Sequence, residues 1–431
     1  MVKAQQQDLQ VDVAVVGAGV IGLCVARALV KHRLSVALVE RQQLCAGATG
    51  AGQGYIWLAH RSPRSAAWPL AVWSKGLWED YLSQTADLRD RIAPEALEWQ
   101  ACGSVLVACN ATEALELQAR RELLDAAGVH ASLLDRKQLQ KLEPALHVPH
   151  RGAGLLVAAD AQLNGRMAAQ TLMKRCNELG KGRFHALLDE AADSLLLDAD
   201  QQHVQGVQTG DRRVQARLGV VVAAGAWTSK FLCASLPGIA GGWATQFQPR
   251  RGHLLEFEAP EGMPPVRHGL MEMGYTKHYA KGDQPASQGH AHTPTGIEAA
   301  DITFTATTST SGSLLVGSSR EFTGWSTNAE PAVIQAILSK AQQFLPALAS
   351  VQPNSVSCRV GLRPYAVGSL PQIGPFPGVQ GLFVAAGHEG SGLTLGPATG
   401  EILRQYITGG SCDADLAAPF KPANVNVSST Q

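Results

Sequence analysis

The sequence has no surplus of either charge: 36 lysines and arginines balance 36 aspartates and glutamates. No basic stripe stands out within that balance, so nucleic acid is not an expected partner. No stretch approaches the roughly 18 consecutive apolar residues that a membrane span needs, and membrane contact is not expected either. The first ten residues are polar and lack the apolar core of a secretion signal. None of the eight cysteines forms a Cys-x-x-Cys pair, and their spacings suggest no zinc site. Scattered cysteines in a long chain fit a reducing compartment, so the expected location is cytoplasmic. His60, His290 and His292 form no convincing metal set, and no metal is expected.

What the chain does have is apolar residues (45%) and 44 glycines in 431 residues, enough for two domains with a sizeable core. The sharpest local pattern comes first. Val11–Val16 is a short apolar run that reads as a buried strand. Gly17, Ala18, Gly19, Val20, Ile21 and Gly22 follow as a Gly-x-Gly-x-x-Gly turn. Val20–Lys31 carries helical spacing, and Ser35–Val39 reads as a second strand closed by Glu40. The unit has the length of a βαβ crossover, about 30 residues. In such a unit the first glycine permits the tight turn and the second lets backbone approach a pyrophosphate. The third lets helix and strand pack closely. Phosphates then meet free N–H groups at the helix start. Glu40 is placed to accept from ribose hydroxyls, with Arg41 beside it. This unit alone does not separate NAD from FAD.

Further on, a glycine-rich loop spans Ala46–Gly54, and helices are expected over Ser65–Thr85, Ala111–Gly128, Asn164–Gly180 and Ala332–Phe344. Leu139–Pro149 reads as a turn-rich connector, and Lys281–Ala300 as a polar surface loop. Strands are expected over Val204–Thr209, Val214–Val222, Gly252–Glu258, Asp301–Thr308, Ser313–Gly317 and Leu382–Ala386. After the last of these, Gly387–Gly396 reads as a turn, and a helix is expected to start at Pro397. The tail beyond Cys412 is expected to be frayed. Tyr55–Leu58 with Trp68, Trp73 and Trp78 is unusually aromatic, and core or interface packing is the expected use.

Several of these segments occur together in a known order. They are the first turn, the Gly47-Ala-Thr-Gly50 loop, Val221-Val-Ala-Ala-Gly-Ala-Trp227, Gly361-Leu-Arg-Pro364 with Leu370-Pro-Gln-Ile-Gly374, and Gly387-His-Glu-Gly390. In that order the chain resembles the D-amino-acid oxidase superfamily of FAD-dependent oxidoreductases, and most of all its glycine oxidase, D-amino acid dehydrogenase and dye-linked proline dehydrogenase branch. The resemblance implies an α/β fold: a Rossmann-like FAD-binding domain, non-contiguous in sequence, with a smaller α+β substrate domain on an antiparallel sheet. Residues 8–85, 152–240 and 358–412 would form the first domain, and 86–151 with 241–357 the second. It implies that Gly17, Gly19 and Gly22 hold the pyrophosphate of a non-covalent FAD and Glu40 its ribose. Thr49, Gly50, Gln53, Gly54, Gly225 and Trp227 would lie near the cofactor, and Gly390, Gly392, Leu393 and Thr394 would close over the flavin.

On the substrate side, Arg363 is the expected carboxylate ligand, because a guanidinium grips a carboxylate through two parallel bonds. Tyr275 and Tyr279 lie on a strand-like Met271–Ala280 segment, where relatives place a tyrosine over the substrate. Lys277 reads as solvated, and Glu389 as a residue that can shape substrate choice. The expected reaction oxidises a small amine or amino acid to an imine by hydride transfer to flavin N5, followed by imine hydrolysis. Oxygen, a quinone or another acceptor takes the electrons. The alternative is a dinucleotide-binding scaffold or assembly factor without redox turnover.

Overall fold

The computed structural model describes residues 8–83, 90–210, 212–277, 300–410 and 413–422. Two large sheets organise them. In the first, the strands run Gln372–Pro375, Leu382–Ala386, Arg212–Val222, Leu9–Val16, Val36–Val39 and Phe184–Leu187 from edge to edge. Leu9–Val16 sits between two parallel neighbours, Arg212–Val222 and Val36–Val39. Its inner half, Val13–Val16, is covered on both faces and is apolar throughout, whereas Gln10 and Asp12 lie toward the open end of the strand. Val13 and Val15 enter one core cluster, Ala14 and Val16 another on the opposite face. Val11 breaks the alternation by joining Ala14, where the pairing register shifts between Val11 and Val13.

The helix Val20–Lys31 starts where the sequence places it. It packs against a second helix, Gly392–Thr408, at very short range: a Cβ on Gly400 would lie 2.5 Å from the Cys24 carbonyl oxygen. The expected start of that second helix at Pro397 is wrong, because the helix begins at Gly392 and carries Pro397 inside it. Pro397 has no N–H to give the Leu393 carbonyl four residues back. Trp78 Nε1 donates to that carbonyl instead, at 2.8 Å, and Ala398 N–H turns aside to Ser74 Oγ at 3.1 Å. One buried helix, Trp68–Leu82, thus repairs both irregularities.

The second sheet orders Ser357–Ala366, Phe247–Glu258, Ser313–Arg320, Asp301–Thr308, Gly269–Glu272, Ser104–Ala108, Ala153–Val157 and Ser132–Leu134. Its pairs are antiparallel except Gly269–Glu272 with Ser104–Ala108, which run parallel. Ala153–Val157 and all but the first residue of Ser357–Ala366, which fall in segments expected for the cofactor domain, pair in this sheet. The expected connector from Leu139 begins inside a short helix, Arg136–Leu142, which Asp135 and Gln138 close with a capping box. Tyr275 lies not on a strand but in a 3₁₀ turn, Met273–Thr276, that ends Gly269–Glu272. The tail is ordered over 413–422, where Phe420 is buried in the core. Tyr279 and the 281–299 part of the polar loop lie outside the described residues. Among the described residues no helix is long and apolar enough to cross a membrane.

Candidate active site

The carboxyl ends of the parallel strands, at Val16, Val39, Ala223 and Ala385, open on one cavity of about 410 Å³. This is where an open α/β sheet receives a ligand, since helix starts and bare strand ends meet there. Gly17 turns with φ +108°, and a Cβ there would press within 2.5 Å of the Ala223 carbonyl oxygen. A Cβ on Gly22 would fall 1.9 Å from the Gly17 carbonyl oxygen, so these two glycines serve close packing. Gly19 instead faces the cavity and caps Val20–Lys31 without a side-chain bond. Thr49 Oγ1 accepts from Val20 N–H at 3.0 Å. Glu40 is fixed by two backbone donors, Ala18 N–H at 2.8 Å and Gln42 N–H at 2.9 Å. Arg41 stacks its guanidinium over the Trp227 ring at 4.2 Å, and both line the cavity with Gly225.

The second helix start opens on the same space. Gly392–Thr408 has no side-chain cap, and Gly390, Gly392 and Leu393 line the wall. Two helix starts whose N-cap residues give no side-chain bond, a bare Gly19 and a fixed carboxylate at Glu40 suit a dinucleotide: the N–H groups left over after Thr49 has taken that of Val20, and the positive dipole ends, meet phosphate and an electron-rich ring edge. The residues present therefore fit FAD. Gln53 and Gly54 also line the cavity. Gln53 reaches into the second sheet, accepting from Thr305 Oγ1 at 2.9 Å and donating to the Leu315 carbonyl at 3.0 Å. Ala18, Gly22, Gly50 and Thr394 stand one layer behind the lining. Gly50 gives its carbonyl to Arg166 Nε, and Thr394 Oγ1 donates to the Tyr55 carbonyl.

The far end of the cavity is formed by the second sheet. Gly252, His253, Ser318, Leu362, Arg363 and Tyr275 line it, and Tyr55 and Glu389 close the sides. Gly252 makes room for Arg363, because a Cβ there would fall 2.1 Å from Nη1. Arg363 Nη1 donates to the Ser319 carbonyl at 2.9 Å. Its remaining donors make no other hydrogen bond or ion pair among the described residues. The neighbouring Arg251 is different: it is bidentate to Glu321 and reaches Glu330 as well. Lys277 is exposed, outside the lining.

Sequence reasoning missed two arginines here. Arg250 is the direct cross-strand partner of Arg363 and lies 3.5 Å from Glu389. Arg320 is buried with its guanidinium 4.1 Å from the Tyr275 ring centroid. Neither position carries a local signal, because only the strand register brings them to the site. Burial opposes ionisation of Glu389, but Arg363, Arg320 and Arg250 outweigh it and hold the carboxyl below the usual range. Burial alone pushes His388 down to about 3, so it is neutral, with Nε2 3.0 Å from Thr399 Oγ1. Among the described residues, no group of three or more His, Cys, Asp or Glu side chains could hold a metal ion.

Comparison with known proteins gives a consistent result. Residues 12–406 match the DAO family model, described as FAD dependent oxidoreductase. Glycine oxidase of Pseudomonas aeruginosa is 28% identical over 424 residues, spanning 95% of this chain and 98% of that protein. Among solved structures, glycine oxidase from Geobacillus kaustophilus superposes with a TM-score of 0.76 at 22% identity, covering 97% of this chain and 99% of the other. L-proline dehydrogenase from P. horikoshii gives 0.76 at 16% identity, covering 96% and 97%. At those identities the structural likeness speaks for the fold. The alternative of a scaffold without redox turnover finds no support in any of them. With the matched model covering nearly all of the chain, and a cavity built for a dinucleotide, this protein belongs to the DAO family of FAD-dependent oxidoreductases.

Proposed function

We propose that the chain oxidises a small amino acid or related amine that carries a carboxylate, with Arg363 as the carboxylate ligand. One observation carries the reading: Arg363 faces the cavity with most of its donors unspent, beside the turn that would close over the flavin. A cation with unspent donors in a largely enclosed space calls for an anionic ligand. The names of the relatives, glycine oxidase and L-proline dehydrogenase, support the same substrate class.

The chemistry supplied by bound FAD is acceptance of the electron pair and hydrogen from the carbon beside the amine. The protein's own task is then placement. Arg363 anchors the carboxylate, and Tyr275, stiffened by Arg320 over its ring, forms a wall beside it. Held this way, the donor carbon is fixed relative to the helix starts, and a well-oriented donor gains much of the rate through geometry. Because the hydrogen leaves carbon together with its electron pair, neither His388, tied to Thr399, nor Glu389, held among arginines, is required to take a proton from carbon. The substrate leaves as an imine, which water hydrolyses.

The test is an anaerobic substrate screen of the yellow protein with glycine, sarcosine, proline and D-amino acids. At least one is expected to bleach the flavin. In Arg363→Ala its KM should rise about 100-fold, the size expected when a pair of charge-assisted hydrogen bonds is lost. No bleaching by any of them sinks the amino-acid reading, and an unchanged KM removes Arg363 from the site.

A further inference from the structure

We propose that Glu389 sets the charge of the substrate end, restricting it to substrates with a single carboxylate. This rests on the reading of Arg363 as a carboxylate ligand. Arg250 and Arg363 face each other across an antiparallel pair, so both side chains project from the same face of the sheet. Like charges placed opposite one another repel, and the pair needs a counter-charge. Glu389 supplies it from the other side of the cavity. It sits on the turn that leads into Gly392–Thr408, its carboxylate 3.5 Å from Arg250 and accepting Gly390 N–H at 2.6 Å. Its backbone takes φ +46°, a left-handed conformation costly for a residue with a Cβ. The surrounding contacts hold it there.

The remaining charges complete the balance. Arg320 lies against Tyr275, and Asp301 stands directly opposite Arg320 on the neighbouring strand. Arg251 and Glu321 satisfy each other as a separate buried pair. Arg250 and Arg363, set against Glu389, leave one positive charge unmatched among the described residues. One substrate carboxylate neutralises it. A second would enter beside Glu389, which lines the cavity while Asp301 does not, and would meet its charge in a site partly shielded from water.

The experiment uses the FAD-loaded protein and two matched pairs of ligands. Glycine and iminodiacetate are compared by kcat/KM. Acetate and malonate are compared by Kd, read from the perturbation of the flavin spectrum. The native protein is expected to favour the single carboxylate in both pairs. In Glu389→Gln both preferences should shift toward the dicarboxylate by at least about 10-fold, while Glu389→Asp, which keeps the charge, stays near the native ratio. Glu389→Ser serves as a second neutral variant should Glu389→Gln lose its flavin. Ratios that stay within about twofold of native in the neutral variants, or a native preference for the dicarboxylate, overturn the role of Glu389. Acetate binding that survives Arg363→Ala unchanged overturns the Arg363 reading instead, so the two failures are distinguishable.

Discussion

His388 and Glu389 are neighbours in sequence with opposite ionisation behaviour. Burial without a countercharge keeps His388 neutral, whereas Glu389, half-buried, stays ionised because Arg363, Arg320 and Arg250 stand around it. Thr399 spends its hydroxyl proton on the Leu395 carbonyl, so His388 Nε2 must carry the proton in the bond to Thr399. A histidine whose folded pKa is about 3, against an ordinary 6.5, stabilises the fold above pH 6.5 and loses that contribution as pH falls toward 3. The slope approaches about 1.4 kcal/mol per pH unit. Asp160 works the other way. Burial raises it to about 6, so the fold gains from its protonation as pH falls from 6 toward 4. The two slopes mask each other in the native protein. The measurable quantity is therefore native stability minus that of His388→Asn, by urea unfolding. It is expected to shrink by about 2 kcal/mol between pH 7 and pH 4.5, and a difference that does not change with pH would show that folded His388 takes up a second proton as readily as the unfolded chain does. At this scale the sequence is legible where the signal is local. Gly17, Gly19, Gly22 and Glu40 lie within one short unit, and Arg363 within one motif. Arg250 and Arg320 are not legible, since their role comes from register between strands far apart in the chain.

Elements follow the sequence well where a single periodicity governs them. Val20–Lys31 has the bounds its spacing predicts, and Leu382–Ala386 does as well. The start of Gly392–Thr408 was misread because proline favours the first turn of a helix, and the glycines before it read as a loop. What overrides that local preference is a donor from another helix. Trp78 supplies the bond that Pro397 lacks, so the aromatic segment around Trp78 acts as packing with one specific hydrogen bond. Trp78→Phe keeps most of the ring volume and removes that donor. It is expected to cost about 1–3 kcal/mol, the cost of leaving a buried carbonyl unpaired. Because Leu393 also lines the cavity, the variant should release FAD more readily. Urea unfolding and the flavin-to-protein ratio after gel filtration check both. Unchanged stability would mean that the Leu393 carbonyl finds another partner. Tyr275 shows the complementary error: apolar residues continue past Glu272, but the chain curls into a 3₁₀ turn there and brings the ring under Arg320.

At the scale of the whole molecule, each wall of the cavity comes from a different part of the chain. The phosphate turn lies near residue 17, the Ala223–Trp227 wall in the middle, and the closing turn around His388–Leu393 near the far end. Fold class was legible because the βαβ unit and the C-terminal glycine turn are each compact in sequence. Which sheet Ala153–Val157 and Ser357–Ala366 join is not legible, because pairing between strands far apart in the chain leaves no local mark. The helix Gly392–Thr408 packs along Val20–Lys31 with only glycine between it and the Cys24 backbone. Synthesis therefore makes the first half of that helix pair almost a full chain length before the second. Until the later helix has emerged, the earlier one exposes an apolar flank, and the cavity lacks its closing turn around His388–Leu393. Ribosome-stalled chains ending near residue 380 are expected to hold no flavin and to recruit chaperones, whereas chains in which Gly392–Thr408 has left the ribosome should show both flavin uptake and chaperone departure. Flavin bound to the stalled chains would show that the first turn suffices. Cofactor capture is thus expected to wait until Gly392–Thr408 has been made, so that scarcity of FAD would be felt by chains in which every other wall of the cavity already exists.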